Sequence, residues 1–195
     1  MMIFLILAPY GVFAALMLFA SAAVSLFASA AICLMVVAWD VFNRRSIKML
    51  GAGSAILFAA LGCYVALFDS GLTAAGVKLT VDSGVLAISV KSLLIRRPFT
   101  QQYAREVVDA ETARLPGFHK ANYVITWAWT AAFVLMVLAN VLLIYLPGLP
   151  LWAGIVIAFA ARNTAVYFTR WYPDYHRAKS AAPAASVNAA SVNAA

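Results

Sequence analysis

The chain has 195 residues, 65% of them hydrophobic and 11% charged, with a formal net charge of +7 and a mean hydropathy of +0.92. A soluble domain carries roughly 25% charged residues, and a core of this size cannot hide so much apolar surface, so a soluble globular fold is excluded and lipid must cover the remainder. The 14 Lys and Arg residues sit in short clusters between apolar runs, a placement that favours topology signals and phospholipid headgroups over nucleic acid.

Residues 1–39 hold no charged side chain. A spanning helix takes about 20 apolar residues, and a single helix of this length would rise about 58 Å, so the run divides near Ala20 and Ser21 into two spans, 2–20 and 21–39. The first basic residue is Arg44, so the start lacks the basic opening of a signal peptide and is expected to stay in the mature chain. A third span, 49–68, ends at the polar segment 69–78. The fourth, 79–95, contains Asp82 and Lys91 but stays predominantly apolar.

Residues 96–121 form the longest polar connection, with eight charged residues plus Pro98, Pro116 and Gly117. The fifth span covers 123–145, Pro147, Gly148 and Pro150 make a turn, and the sixth span covers 151–171. From residue 180 the chain turns to Ala, Pro, Ser, Val and Asn, with Ala-Ser-Val-Asn-Ala occurring twice; such a tail has too little apolar bulk to fold and is expected to be disordered over 180–195. Residues 1–179 therefore read as one all-α domain, a polytopic transmembrane bundle of six spans.

Positive residues accumulate on the cytoplasmic side of short loops. Of the 14 basic residues, all but Lys78, Lys91 and Arg162 fall on one side of this six-span arrangement. Losing one helix would put basic loops on both faces, so charge supports span count and orientation together: both termini inside, with anionic headgroups of the inner leaflet as the expected partner.

Arg162 lies roughly nine residues, or about 14 Å, from the inner end of the sixth span, where a charge costs about 2.5–3.5 kcal/mol on insertion scales. It either snorkels and bonds neighbouring carbonyls or lines an inner vestibule as an anion or lipid-headgroup contact. Asn163, Tyr167 and Arg170 follow at helical steps and make a polar face, expected to point into the bundle. Lys91 is within reach of the inner headgroups through its long stem. Asp82 stands four residues after Lys78, a spacing suited to an interfacial ion pair.

Ser21, Ser25, Ser29 and Cys33 recur every four residues, as do Ala55, Ala59 and Cys63; both stripes read as helix-packing seams, with the cysteines as small core residues. His119 and His176 have no second ligand at metal-binding spacing, and no phosphate loop or nucleophile turn is present, so the residues point to no metal, no cofactor and no recognised catalytic site.

The inner loop carries the run Arg97, Pro98, Phe99, Thr100, Gln101, Gln102, Tyr103, Ala104, Arg105, Glu106. It reads as a short interfacial helix with Thr100 as its cap, Phe99 and Tyr103 facing the membrane and Arg105 and Glu106 in water, followed by a turn between Asp109 and Pro116. With Pro116-Gly117-Phe118, the segment 121–126, and Ala161-Arg162-Asn163 through Trp171-Tyr172-Pro173, this run resembles a group of small bacterial inner-membrane proteins, some labelled septation-protein-like. The resemblance covers about residues 44–179. It implies the multi-span fold and a bacterial inner-membrane location and carries over no catalytic or binding residue.

Two functions compete at this point. Intramembrane Arg162 and Lys91 suggest a small-solute or anion transporter or channel-like protein. The exposed loop 96–121 and the small-residue seams suggest instead a non-catalytic assembly factor or scaffold, with a second copy or another membrane protein as partner. An intramembrane enzyme ranks last, for want of a nucleophile, metal ligands or paired carboxylates.

Overall fold

The structure, a computed structural model, describes residues 2–68, 71–146, 148 and 151–192. The described residues are helical with no strand: α1 (Met2–Leu16), α2 (Ala22–Phe42), α3 (Met49–Phe68), α4 (Ala74–Leu94), the short α5 (Phe99–Ala104), a single 3₁₀ turn (Thr112–Arg114), α6 (Pro116–Tyr145) and α7 (Leu151–Val192). Three of these, α2, α3 and α6, are long and apolar enough to cross a membrane. The first predicted span is shorter than expected, because α1 stops at Leu16 and a turn follows; Ser21 then caps α2 by accepting the Val24 N–H. Thr73 caps α4 in the same way through the Gly76 N–H, so that helix starts five residues before the expected 79. Pro116 at its first turn starts α6 before the expected 123.

α7 carries on to Val192, through the segment for which sequence composition predicted no structure. That segment is rich in alanine, the residue with the highest helix propensity.

Two helix ends share one design. After α2 and after α4 an arginine takes the left-handed conformation, Arg44 and Arg96 both at φ 54°. The next arginine then donates its N–H back into the helix, Arg45 to the Asp40 carbonyl at 2.8 Å and Arg97 to the Ser92 carbonyl at 3.0 Å. Glycine usually fills this position, and a side chain there costs about 1–2 kcal/mol. A cation at a helix C-terminus returns only about 0.3–1 kcal/mol, so the charge is kept at a net local cost.

The helices pack in the order α1, α2, α3, α4, α6, α7, with α5 laid against α6. One core cluster joins α1 to α4 through Phe13, Leu26, Cys33, Phe58 and Val81. A second joins α3 to α7 through Leu50, Val85, Ile125, Trp129, Met136 and Ala165. Tyr10 packs against both. α3 and α4 approach closely at Gly84, where an added Cβ would stand 2.5 Å from both δ carbons of Leu57.

Beside these apolar clusters the interior holds many polar side chains, and the exterior many large apolar ones. Buried positions include Ser25, Ser29, Ser54, Ser89, Ser92, Thr126, Thr130, Asn140 and Asp82, while Ile56, Leu67, Leu94, Trp127 and Leu135 face outward. Hydroxyls and amides inside with aliphatic residues outside suit a bundle whose exterior meets hydrocarbon. The α2 seam is buried at Ser25, Ser29 and Cys33. The α3 seam is not buried throughout: Cys63 is exposed, because it shares the outward face of Ile56, Ala60 and Leu67.

Candidate functional site

Two charged groupings lie inside the bundle. The first sits at the basic end. Asp40, in the last turn of α2, and Lys48, just before α3, are 4% and 5% exposed, and the loop between them folds Lys48 Nζ to 2.6 Å from Asp40 Oδ2. On its other side Lys48 stands 2.9 Å from Glu106 Oε1 and 5.5 Å from the centre of the Tyr103 ring. An ammonium has three donors and a charge attracted to a ring face, and here it is shared between two carboxylates and a phenol. Arg45, half exposed, comes to 3.8 Å from Glu106 Oε2 and balances the second negative charge. Both Glu106 oxygens are buried, and among the described residues the contacts that hold the carboxylate are these two ion pairs.

This cluster corrects the expected loop geometry. Pro98, not Thr100, stands at the N-cap of α5; Thr100 lies within the helix and meets Thr126 Oγ1 at 2.7 Å while donating to the Asn122 carbonyl at 2.9 Å. Phe99 is buried in the core rather than facing the membrane. Tyr103 lines a cavity, and burial pushes its phenol pKa up, with the neighbouring Tyr10 phenol and Asp40 carboxylate adding to the rise. The Met49 N–H donates to Gln102 Oε1 at 2.6 Å, tying α5 to the start of α3. Of the loop residues singled out in the sequence, Arg97 and Arg105 are exposed and Glu106 joins the cluster. Asp109, two residues before the Glu111 N-cap of the 3₁₀ turn, accepts the Thr112 N–H and hydroxyl at 2.7 and 2.8 Å, and those bonds hold its carboxyl pKa below the ordinary aspartate value.

The second grouping lies deeper. The expected Lys78–Asp82 pair is not among the described ion pairs. Asp82 turns into the bundle instead and accepts from Asn140 Nδ2 at 2.6 Å. Arg162, on the flank of α7 next to the buried Ala161 and Ala165, lines a cavity of about 20 Å³ with Asp82, Tyr10 and Trp129. Among the described residues its guanidinium makes no ion pair. Asn163, Tyr167 and Arg170 are on the exposed face of α7, Asn163 donating to its own helix at the Phe159 carbonyl, because one residue's step around a helix is about 100° and separates Arg162 from Asn163. Lys91 is also exposed.

Tyr10 connects the two groupings. Its hydroxyl bonds Ser54 Oγ, and its ring is braced by Phe58 at 5.6 Å. It lines the deep cavity and also a larger one of about 100 Å³ that includes Cys33, Asp40, Arg45, Lys48, Ser54 and Tyr103. A polar column thus runs from Asp40, Lys48 and Glu106 through Tyr10 and Ser54 to Asp82, Asn140 and Arg162. Sequence reasoning passed over Tyr10, Asp40, Lys48, Ser54 and Asn140. The available signals were Asp40 as the first acid of the chain and Asn140 as a single amide in an apolar run. Comparison of the chain with family models, curated proteins and solved structures finds no match.

Proposed function

We propose that the chain is a six-span bacterial inner-membrane protein, with both termini cytoplasmic, that carries a small anionic solute along the polar column. Support for the orientation comes from the basic loops, whose charge favours the Asp40–Lys48–Glu106 end as the inner one. The observation that carries the transport reading is Arg162: a guanidinium inside the bundle, without an ion-pair partner among the described residues, facing a cavity. A cation inside a membrane bundle costs free energy. Asp82 shares its cavity but bonds Asn140 and makes no ion pair with Arg162 among the described residues, so the cavity offers a visiting anion a place to meet the guanidinium. The deep cavity is too small for such a solute, so passage requires the helices to part, as in carriers that alternate their access.

The test is flux of chloride, acetate and phosphate in proteoliposomes. The expected result is flux of at least one of them, lost in Arg162→Ala and partly kept in Arg162→Lys; absence of flux for all three in the wild type counts against transport. The scaffold reading keeps one observation, the exposed Val107 and Leu115 in the polar connection. Photocrosslinking from Val107 that captures a single reproducible protein partner would favour it, whereas capture of lipid alone would not.

A further inference from the structure

Two cavities, with Tyr10 and Leu50 lining both and Tyr10 the one polar side chain they share, and carboxylates at both ends suggest more than a route for a solute. We infer that Asp82 is a proton-binding site reached from the basic end of the bundle, with the Tyr10 hydroxyl as the gate. This rests on the transport reading for its purpose, making the proton the partner ion of the carried solute.

The geometry has three parts. The larger cavity, about 100 Å³, touches Asp40, Arg45 and Lys48 at the basic end and Tyr10 and Ser54 at its deep end. The smaller cavity, about 20 Å³, begins at Tyr10 and the apolar Leu50, which line both cavities, and ends at Asp82 and Arg162. A water needs roughly 10–15 Å³ of such space and two to four polar partners; Tyr10, Asp82 and Arg162 supply three. The Tyr10 hydroxyl is paired with Ser54 Oγ, and both are groups that donate and accept at once.

Proton transfer along this line balances at every atom. A hydronium ion on the basic side gives a proton to the Tyr10 oxygen and becomes water, as the phenol's own proton passes to the water that fits the deep cavity, which hands one of its protons on and stays neutral. That last proton bonds to an Asp82 carboxylate oxygen. Tyr10 keeps one O–H bond, Asp82 becomes a neutral acid, and the positive charge now in the deep cavity is Arg162 alone, open to an anion. Release runs the same steps backwards. The groups facing Asp82 are Asn140 from α6, Arg162 from α7 and Tyr10 from α1, with Lys78 one turn earlier on α4 and Ser54 of α3 behind Tyr10. Proton occupancy of Asp82 therefore changes the net charge around Arg162, which is what couples a proton to an anion.

The experiment is infrared difference spectroscopy on the full chain reconstituted in lipid, following the protonated-carboxyl band after a pH jump. The expected result is a band present in the wild type, absent in Asp82→Asn, and retained at a shifted position in Asp82→Glu. In Tyr10→Phe, which keeps the ring against Phe58, the band should respond about 10²-fold more slowly, the usual scale for loss of a positioned proton-transfer group. Ser54→Ala should slow it less. A band unchanged in Asp82→Asn, no carboxyl band at any pH, or a wild-type rate in both Tyr10→Phe and Ser54→Ala overturns the inference. A gated Asp82 band in a protein that moves none of the three anions supports the inference and overturns the transport reading alone.

Discussion

The interior holds two polar regions of opposite character. Between α4, α5 and α6 runs a seam of hydroxyls: Ser89 meets Thr130 at 2.7 Å, Thr130 donates to the Thr126 carbonyl at 2.8 Å, Thr126 meets Thr100 at 2.7 Å, and Ser92 donates to the Ser89 carbonyl at 2.7 Å. None of these residues lines either cavity. The charged column from Lys48 to Arg162 has cavities along it, a buried carboxylate held by ion pairs, and a guanidinium without an ion-pair partner among the described residues. Polarity inside a bundle is therefore not by itself a sign of function. Space beside charged groups is what distinguishes the column, proposed above as the functional region, from the seam, whose hydroxyls are paired between helices.

The largest expected effect falls on the column. Lys48→Met leaves Asp40 and Glu106 buried without their shared cation, a change expected to cost about 3–5 kcal/mol, measured as unfolding in detergent. Adding Asp40→Leu and Glu106→Gln should recover much of it, since replacing a whole buried charge group is far cheaper than breaking one. A loss no larger than that of a seam mutant would erase the distinction between the regions. Next comes Asn140→Ala, which removes the donor from Asp82 and should destabilise by about 1–3 kcal/mol in the same assay.

The seam should respond less. Thr126→Val, nearly isosteric, removes a hydroxyl shared with Thr100, and interhelical bonds of this kind average about 0.6 kcal/mol in membrane proteins. Anion flux should be unchanged. Asp109, outside both regions, serves as the smallest case. Its folded pKa lies below the ordinary value, so its turn-stabilising contribution is complete above the unfolded pKa and is lost as pH falls through the lowered folded one. Asp109→Asn should remove that acid sensitivity from amide exchange in the 3₁₀ turn while leaving the neutral-pH structure intact.

Much of the helical frame was legible in the sequence, because apolar run length and turn residues determine it: Ser21 bounds α2, and α3 runs over the expected 49–68. The boundaries moved where a cap or a first-turn proline outweighed hydropathy, as at Thr73 and Pro116. The site was less legible. Arg162 stood out as a charge in an apolar run, but its companions come from five other elements, and a helical-step rule grouped it with Asn163, Tyr167 and Arg170 on the same helix. Asp82 was matched to Lys78 by local spacing, whereas its bond is to Asn140, 58 residues away. The Lys48 cluster depends on a loop that turns back through Arg44 in the left-handed conformation, and neither spacing nor composition announces that turn.

The most direct measurement is reactivity of introduced cysteines with a membrane-impermeant thiosulfonate, in a chain carrying Cys33→Ala and Cys63→Ala. Ser54→Cys, on the column, should react from the basic side, and Thr130→Cys, in the seam, should stay protected. Equal protection at both positions, or reaction at Thr130→Cys alone, would contradict the assignment of the column as the hydrated functional path.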